Sequence, residues 1–332
     1  MRGGNARRLS LLVLPLICAA LLWPASSHAF VACSSSGREL TVNLTADDDS
    51  VTFQRFGSQI AVLTGNSLDE YGDYDDYDET SQILIPCSGG TPTVDNTDHV
   101  SVLQSPGADL GSVAIDQSAG PLGPGATTES DGTSEIEFGV NLPGRLSEVY
   151  VGGTDASEMF TIGTEPSGSP GVNMNADVSS DPDVGVAGSR YIDVHAEGGN
   201  DLITALGGAG FVGPLRGAFA IGDGGAGRDL LLAGPNGSGF LGEEGRDRLV
   251  GSPREDFLEG GSGKDKILAR GGNDSIYALD RRKDRVICGS GKRDRATVDA
   301  RDRIKGCERG RRISLPGHHR PPRVNPLSAL IG

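Results

Sequence analysis

Aromatic side chains are scarce in this chain: 9 Phe, 6 Tyr and 1 Trp among 332 residues. A thick core built on large rings is therefore excluded, and packing must rely on smaller aliphatic residues. Bases are scarce over the first two thirds. Residues 30–200 hold 28 acidic and 4 basic residues, a net of −24; residues 201–332 hold 17 and 23, a net of +6. With Arg2, Arg7 and Arg8 the total is −15, which argues against a general nucleic-acid binder. No segment carries an apolar helical stripe with caps. After the N-terminal run no apolar stretch approaches the roughly 20 residues of a membrane span. His-Glu-x-x-His, Gly-x-Ser-x-Gly and phosphate-loop motifs are all missing, so the usual zinc-protease, serine-hydrolase and nucleotide-binding signatures are not there. Carboxylates are too abundant for any one pair to single out a glycosidase.

The N-terminus has three recognisable parts. Arg2, Arg7 and Arg8 precede an apolar run from Leu9 to Leu22, Pro24 breaks it, and Ser27-His28-Ala29 places small residues at −3 and −1. This pattern predicts a signal peptide over 1–29, a mature chain beginning at Phe30, and an extracellular, secreted destination. Cys18 leaves with the leader, and Cys33, Cys87, Cys288 and Cys307 remain. An even number in an exported chain predicts two disulfides. Four cysteines allow three pairings; their segregation into two distant pairs favours Cys33–Cys87 and Cys288–Cys307. A zinc site is disfavoured, because no Cys-x-x-Cys spacing exists and no His lies near a Cys.

Short apolar-alternating pieces follow. Leu40–Leu44, Val51–Phe53 and Ile60–Leu63 read as strands in an N-terminal β region over 30–90. Within it, seven acids lie between Asp69 and Glu79, interleaved with Tyr71, Tyr74 and Tyr77; this reads as a solvated loop. From 91 to 195 similar pieces recur between Gly, Pro, Asp and Ser clusters, for example Val113–Ile115, Val149–Val151 and Tyr191–Val194. Many short strands at short intervals mean sandwich, barrel or solenoid, and unbroken continuity with the repeats beyond favours a solenoid. His195 reads as a strand-end residue.

Residues 224–277 divide into six gapless nonapeptides: GGAGRDLLL, AGPNGSGFL, GEEGRDRLV, GSPREDFLE, GGSGKDKIL and ARGGNDSIY. The sixth position is Asp in five of them, and the eighth is a large apolar residue in all six. This is the GGxGxDxUx pattern of Ca²⁺-binding β-helix repeats, and the region resembles the repeats-in-toxin, or haemolysin-type, calcium-binding family. The resemblance implies an all-β, right-handed parallel β-roll or β-solenoid with Ca²⁺ as its ion. Each position has a physical reason. Glycines allow left-handed turn geometry, Asp adds a carboxylate at the end of the turn, and the apolar eighth residue faces the core. Two nonapeptides make one coil, so residues 18 apart stack. One edge then stacks Asp229, Asp247 and Asp265; the other stacks Asp256 and Asp274, with Ser238 where an earlier aspartate would stand. Hard oxygens from two successive turns suit calcium. The expected metal set is these five aspartates with Gly225, Gly227, Gly245, Gly261, Gly263 and Gly272. The two gaps around Asp247 are expected to be the best sites. A metal-free alternative is that the bases beside the aspartates, Arg228, Arg246, Arg248, Lys264 and Lys266, neutralise the stack.

After 277 the spacing slips: Asp284 lies 10 beyond Asp274, Asp294 a further 10, and Asp302 a further 8. The basic run over 278–308 resembles the closing segment of secreted bacterial calcium-binding proteins of this class, so a cap pinned by Cys288–Cys307 is expected there. A contact with a polyanion or cell surface is the second reading of that run. Residues 309–332 read as a disordered tail. Upstream, AEGGNDLIT at 196–204 resembles the repeat and extends it to 196–277, but Asp201 lies 28 before Asp229, which breaks the nonapeptide register. GPLGPGATTESDGTSEIEF at 120–138 resembles the N-terminal β region of the same secreted proteins, which extends the likeness over 30–308. The expected function is a secreted, non-enzymatic, calcium-binding solenoid. Its partners are calcium ions and, in a second reading as adhesin or scaffold, a cell-surface or extracellular polymer. A hydrolase on a β-helix is the third reading.

Overall fold

Strands of two to eight residues cannot bury an apolar face alone, so they stack on one another. A computed structural model describes residues 31–45, 49–64, 82–108, 110–123, 125–127, 135–145, 147–174, 182–208 and 210–313. The leader, the acidic segment 69–79 and residues 314–332 lie outside the described residues. Among the described residues there is no helix, and so none long and apolar enough to cross a membrane.

Two sheets face one another along the chain, one of 14 strands and one of 12. The first runs from Ala32–Ser36 and Glu39–Leu44 through His99–Gln104, Glu137–Asn141 and Met159–Thr164 to Leu230–Leu232, Arg248–Val250, Lys266–Leu268, Arg285–Ile287 and Arg303–Lys305. The second runs from Asp49–Phe56 through Gly111–Asp116, Glu148–Gly152, Tyr191–His195, Phe219–Asp223 and Ser238–Leu241 to Arg295–Asp299 and Arg309–Ile313. Neighbouring coils pair in parallel. The exceptions among the described residues are hairpins at the N-terminal end, an antiparallel detour through Pro170–Asn173 in the first sheet, and the two-residue strand Gly213–Pro214, which pairs antiparallel with Met159–Thr164. The strands read at 40–44, 51–53 and 60–63 are present as Glu39–Leu44, Asp49–Phe56 and Gln59–Thr64. The last strand reaches Ile313, so regular structure continues past residue 308, where the tail was expected to start.

Coil length changes along the solenoid. In the second sheet the residue stacked on Thr52 is Ala114, 62 further on; on Ser112 it is Glu148, 36 on; on Tyr191 it is Phe219, 28 on; and on Ala220 it is Ser238, 18 on. Between these, Tyr191 stacks on Glu148, 43 on, so the shortening is uneven; the early coils are nevertheless wide and the repeat coils narrow, and the core follows. The wide early coils are filled by Phe53 and Phe138, whose rings meet edge to face at 5.4 Å. The 18-residue coils are filled by Leu231, Leu249 and Ile267 from one sheet and Phe240, Leu258 and Ile276 from the other, all buried.

Both expected disulfides are present. Cys33–Cys87 ties the first strand to the segment after Ile83–Leu84. Cys288–Cys307 joins the ends of the last two coils of the first sheet, where the Cys288 N–H also donates to the Lys305 carbonyl at 3.0 Å. The outermost strand of a solenoid pairs on one side only, so this bond ties down an edge strand. Replacement Cys307→Ser is expected to cost about 3 kcal/mol, as for a loop of this size. Hydrogen exchange should rise over 285–313 and stay unchanged over 49–116; a uniform rise along the chain would contradict a local staple.

Candidate metal centre

Each repeat aspartate follows a tight turn and precedes a short strand. Its N–H points toward the next coil and its carbonyl accepts from the next coil's strand. The Asp229 N–H donates to Asp247 Oδ1 at 2.9 Å and the Asp247 N–H to Asp265 Oδ1 at 2.9 Å. The strand residue after each aspartate, Arg248 or Lys266, donates to the previous aspartate's carbonyl. The side chain thus replaces a ladder carbonyl, and the turn is sewn to the next turn by its own carboxylate. On the other edge the Asp256 N–H donates to Asp274 Oδ1 at 3.0 Å, and Ser238 donates from its N–H to Asp256 at 2.8 Å.

The columns are longer than the nonapeptide register allows. The Asp201 N–H donates to Asp229 Oδ1 although 28 residues separate them. Gly199 and Leu202 pair with Gly227 and Leu230, and the ten additional residues leave the coil as a loop closed by Leu215 N–H on the Ala205 carbonyl. Asp265 likewise donates to Asp284, and Asp284 to Asp302. Asp274 donates to Asp294, and Asp294 to Glu308. The slip after 277 is therefore confined to the turns, by one residue before Asp284 and two before Asp294. One edge carries six stacked aspartates, from Asp201 to Asp302. The other carries Asp256, Asp274 and Asp294 below Ser238. Asp201, Asp284, Asp294 and Asp302 escaped the 18-residue arithmetic; the signal for each was an Asp followed two residues later by an aliphatic, buried at Ile203, Val286 and Ala296 and partly buried at Ile304.

The glycines serve two needs. The second position of the turn is left-handed, with φ of 70° at Gly225 and 76° at Gly261; Glu197, Glu243 and Arg270 adopt the same conformation without being glycine. The fourth position answers to crowding. A Cβ on Gly227, Gly245 or Gly263 would lie 1.6–1.8 Å from the carbonyl oxygen of the glycine one coil before. These turns form a third ladder of two-residue strands, 198–199, 226–227, 244–245 and 262–263, on the longer column's edge. Gly272, on the other edge, meets the Arg254 carbonyl in the same way.

The second carboxylate oxygen distinguishes the aspartates. Oδ2 of Asp201, Asp229, Asp247, Asp265 and Asp284 on the long column, and of Asp274 and Asp294 on the short one, is buried with no hydrogen-bond donor. Asp256 differs, because its Oδ2 accepts from the Ser252 N–H at 2.6 Å. Asp302 differs too, its Oδ2 taking the Asp299 N–H at 2.8 Å. A buried, unpartnered carboxylate oxygen is costly unless a proton or cation answers it. The flanking bases do not: Arg228, Arg246, Arg248, Lys264 and Lys266 are exposed, and among the described residues no ion pair joins them to a repeat aspartate. The donors are all oxygens, from carboxylates of successive coils beside main-chain carbonyls, which is the chemistry of a hard cation such as Ca²⁺. Among the described residues no three His, Cys or carboxylate groups cluster into a side-chain cage.

A separate ionisable group sits on the second sheet. His195 ends the strand Tyr191–His195, with Nε2 3.2 Å from Asp193 Oδ1 and its ring 4.8 Å from that of Tyr150. Burial, then Asp193, pushes Glu148 up to about 8. The sequence placed His195 at a strand end, as it is, but did not mark its neighbours Tyr150 and Glu148.

Burial also raises the column carboxylates, with neighbouring carboxylates adding to it at most of them: to about 6 at Asp229, about 7 at Asp247 and Asp284, and about 8 at Asp265 and Asp274. The folded chain then holds protons that the unfolded chain, near 3.8, has lost. That contribution to stability is full below about pH 4 and disappears as pH rises through 6–8. Metal-free protein is expected to melt at progressively lower temperature from pH 5 to 8.5 in chelator; a flat or rising profile would contradict the unanswered carboxylates. Gly245→Ala is expected to cost about 2–4 kcal/mol from its clash with the Gly227 carbonyl. Gly139→Ala, with no atom within 4 Å of its Cβ position, should stay within about 0.5 kcal/mol, both read by denaturant melts.

Comparison with known proteins bears on the same segment. The family model of the RTX calcium-binding nonapeptide repeat matches residues 241–276 in 4 copies. No curated protein and no solved structure matches the chain. Residues 241–276 are therefore RTX calcium-binding nonapeptide repeats, and calcium is the ion these repeats bind.

Proposed function

We propose that the protein is an exported, non-enzymatic calcium-binding β-solenoid whose ions lie between successive turns of the long aspartate column. The observation that carries this reading is the buried Oδ2 without a donor, repeated coil after coil from Asp201 to Asp284. Calcium supplies the positive charge that these oxygens lack. The chain supplies two carboxylates per gap and turn carbonyls, held in place by the Asp N–H to Oδ1 bonds. The leader pattern at 1–29 and two disulfides support export.

The gaps differ. Those bounded by Asp229/Asp247 and Asp247/Asp265 combine unpartnered oxygens with the glycine ladder. The Asp201/Asp229 and Asp265/Asp284 gaps extend the same column. The gap beside Asp256 is poorer, because the Ser252 N–H already satisfies its Oδ2 and Ser238 offers no carboxylate.

Asp247→Asn keeps the acceptor for the Asp229 N–H and removes only charge, so the coil stays sewn. It is expected to lose calcium from two gaps in calorimetric titration, whereas Asp256→Asn loses one ion at most. Equal losses would overturn the assignment of sites. Hydrogen exchange over 224–277 is expected to slow when calcium is added to chelated protein; no calcium-dependent protection would overturn the reading as a whole.

A further inference from the structure

The register that buries the aspartates also arranges the bases around them. Successive side chains on a strand alternate faces, so the residues either side of each inward aspartate point out. Arg248, Lys266, Arg285 and Arg303 are aligned partners on four neighbouring parallel strands of the first sheet, and all four are exposed. Coils repeat at about 4.8 Å, so this is a ladder of like charges at close and regular spacing. The residue two positions before each of them is also Arg or Lys, which makes a second exposed row on the other side of the aspartate column.

Surface charge at this end is almost wholly positive. Residues 281–312 contain 13 bases and 5 acids. Four of those acids, Asp284, Asp294, Asp299 and Asp302, are buried, so Glu308 alone among them is exposed. The chain total of −15 hides this, because the acidic excess lies in residues 30–200. Among the described residues the ladder makes no ion pair. Like charges held in register without counter-charges are stabilised by a ligand whose own charges repeat along a line.

We propose that this double row of Arg and Lys binds a linear acidic polysaccharide lying along the solenoid axis, one carboxylate-bearing sugar after another against successive coils. The strip carries no aromatic residue on which a base could stack, as single-stranded nucleic acid would require. The choice of an extracellular polymer rests on the proposed export, which N-terminal sequencing of exported material reads separately.

The test is binding of the full chain to polygalacturonate, with neutral dextran, double-stranded DNA and phosphatidylglycerol vesicles in parallel, each with calcium and with chelator. The strip predicts binding to polygalacturonate in both conditions, weakening as salt rises, and none to dextran. The double variant Arg285→Glu/Arg303→Glu should bind at least tenfold more weakly. The variant Arg254→Glu/Arg270→Glu, which has the same net charge but is altered on the opposite edge, should bind like the parent. Circular dichroism checks that both variants fold. Equal weakening in the two variants would reduce the effect to net charge and overturn the proposal. Binding that requires calcium and ignores the Arg285/Arg303 change would overturn it as well, since the ion would then be the bridge. DNA or vesicles bound as tightly as polygalacturonate would replace the polysaccharide with a different partner.

Discussion

One hydrogen bond, repeated coil after coil, organises the C-terminal half: an aspartate N–H donating to the carboxylate of the aspartate in the next coil. A turn in a solenoid leaves its last N–H without a ladder partner, and a buried donor left unmet costs about 1–3 kcal/mol, more than the net contribution of the bond itself. Asp is short enough to reach that donor from one coil away. The bond fixes the stacking distance at the edge, aligns the strand that follows, and places the apolar residue two positions later toward the core.

The same bond creates an electrostatic difficulty. Using Oδ1 for the N–H leaves Oδ2 buried beside another carboxylate one coil away. Two such charges about 5 Å apart repel by about 3 kcal/mol at an effective dielectric near 20. Protonation relieves this at low pH; in the proposed function a divalent cation answers it at neutral pH. The chain places its bases outside the column, so they screen the repulsion only weakly: Arg228 lowers the Asp247 carboxyl, but burial outweighs it. The aspartate that stacks the coils is thus the same residue that leaves a carboxylate oxygen open to a cation, and the bases stand outside the column.

The N-terminal coils solve stacking differently. They are long, carry Phe53, Phe138 and Phe160 in the core, and close with hairpins rather than with aspartate turns. Their acids lie mostly outside any column. Both ends nevertheless belong to the same two sheets, because parallel pairing depends on strand register and not on how many residues leave the coil between strands.

The nonapeptides at 224–277 carried most of what could be read in advance. Their 18-residue stacking, the inward position of Asp247 and Leu249, the two local disulfide pairs and the strands near 40, 52 and 61 all follow from residue type and spacing. These features are local, set within one coil and its neighbour. Only the tertiary structure decided that Asp201, Asp284, Asp294 and Asp302 stand on the same columns. Counting residues assumes a constant coil, whereas hydrogen bonding tolerates a ten-residue loop after Ala205 or one or two added residues in a turn. It also decided that Asp256 is satisfied by Ser252 while Asp247 is not, since one N–H aimed at one oxygen is a matter of turn geometry that the letters GSPRED and GEEGRD do not state.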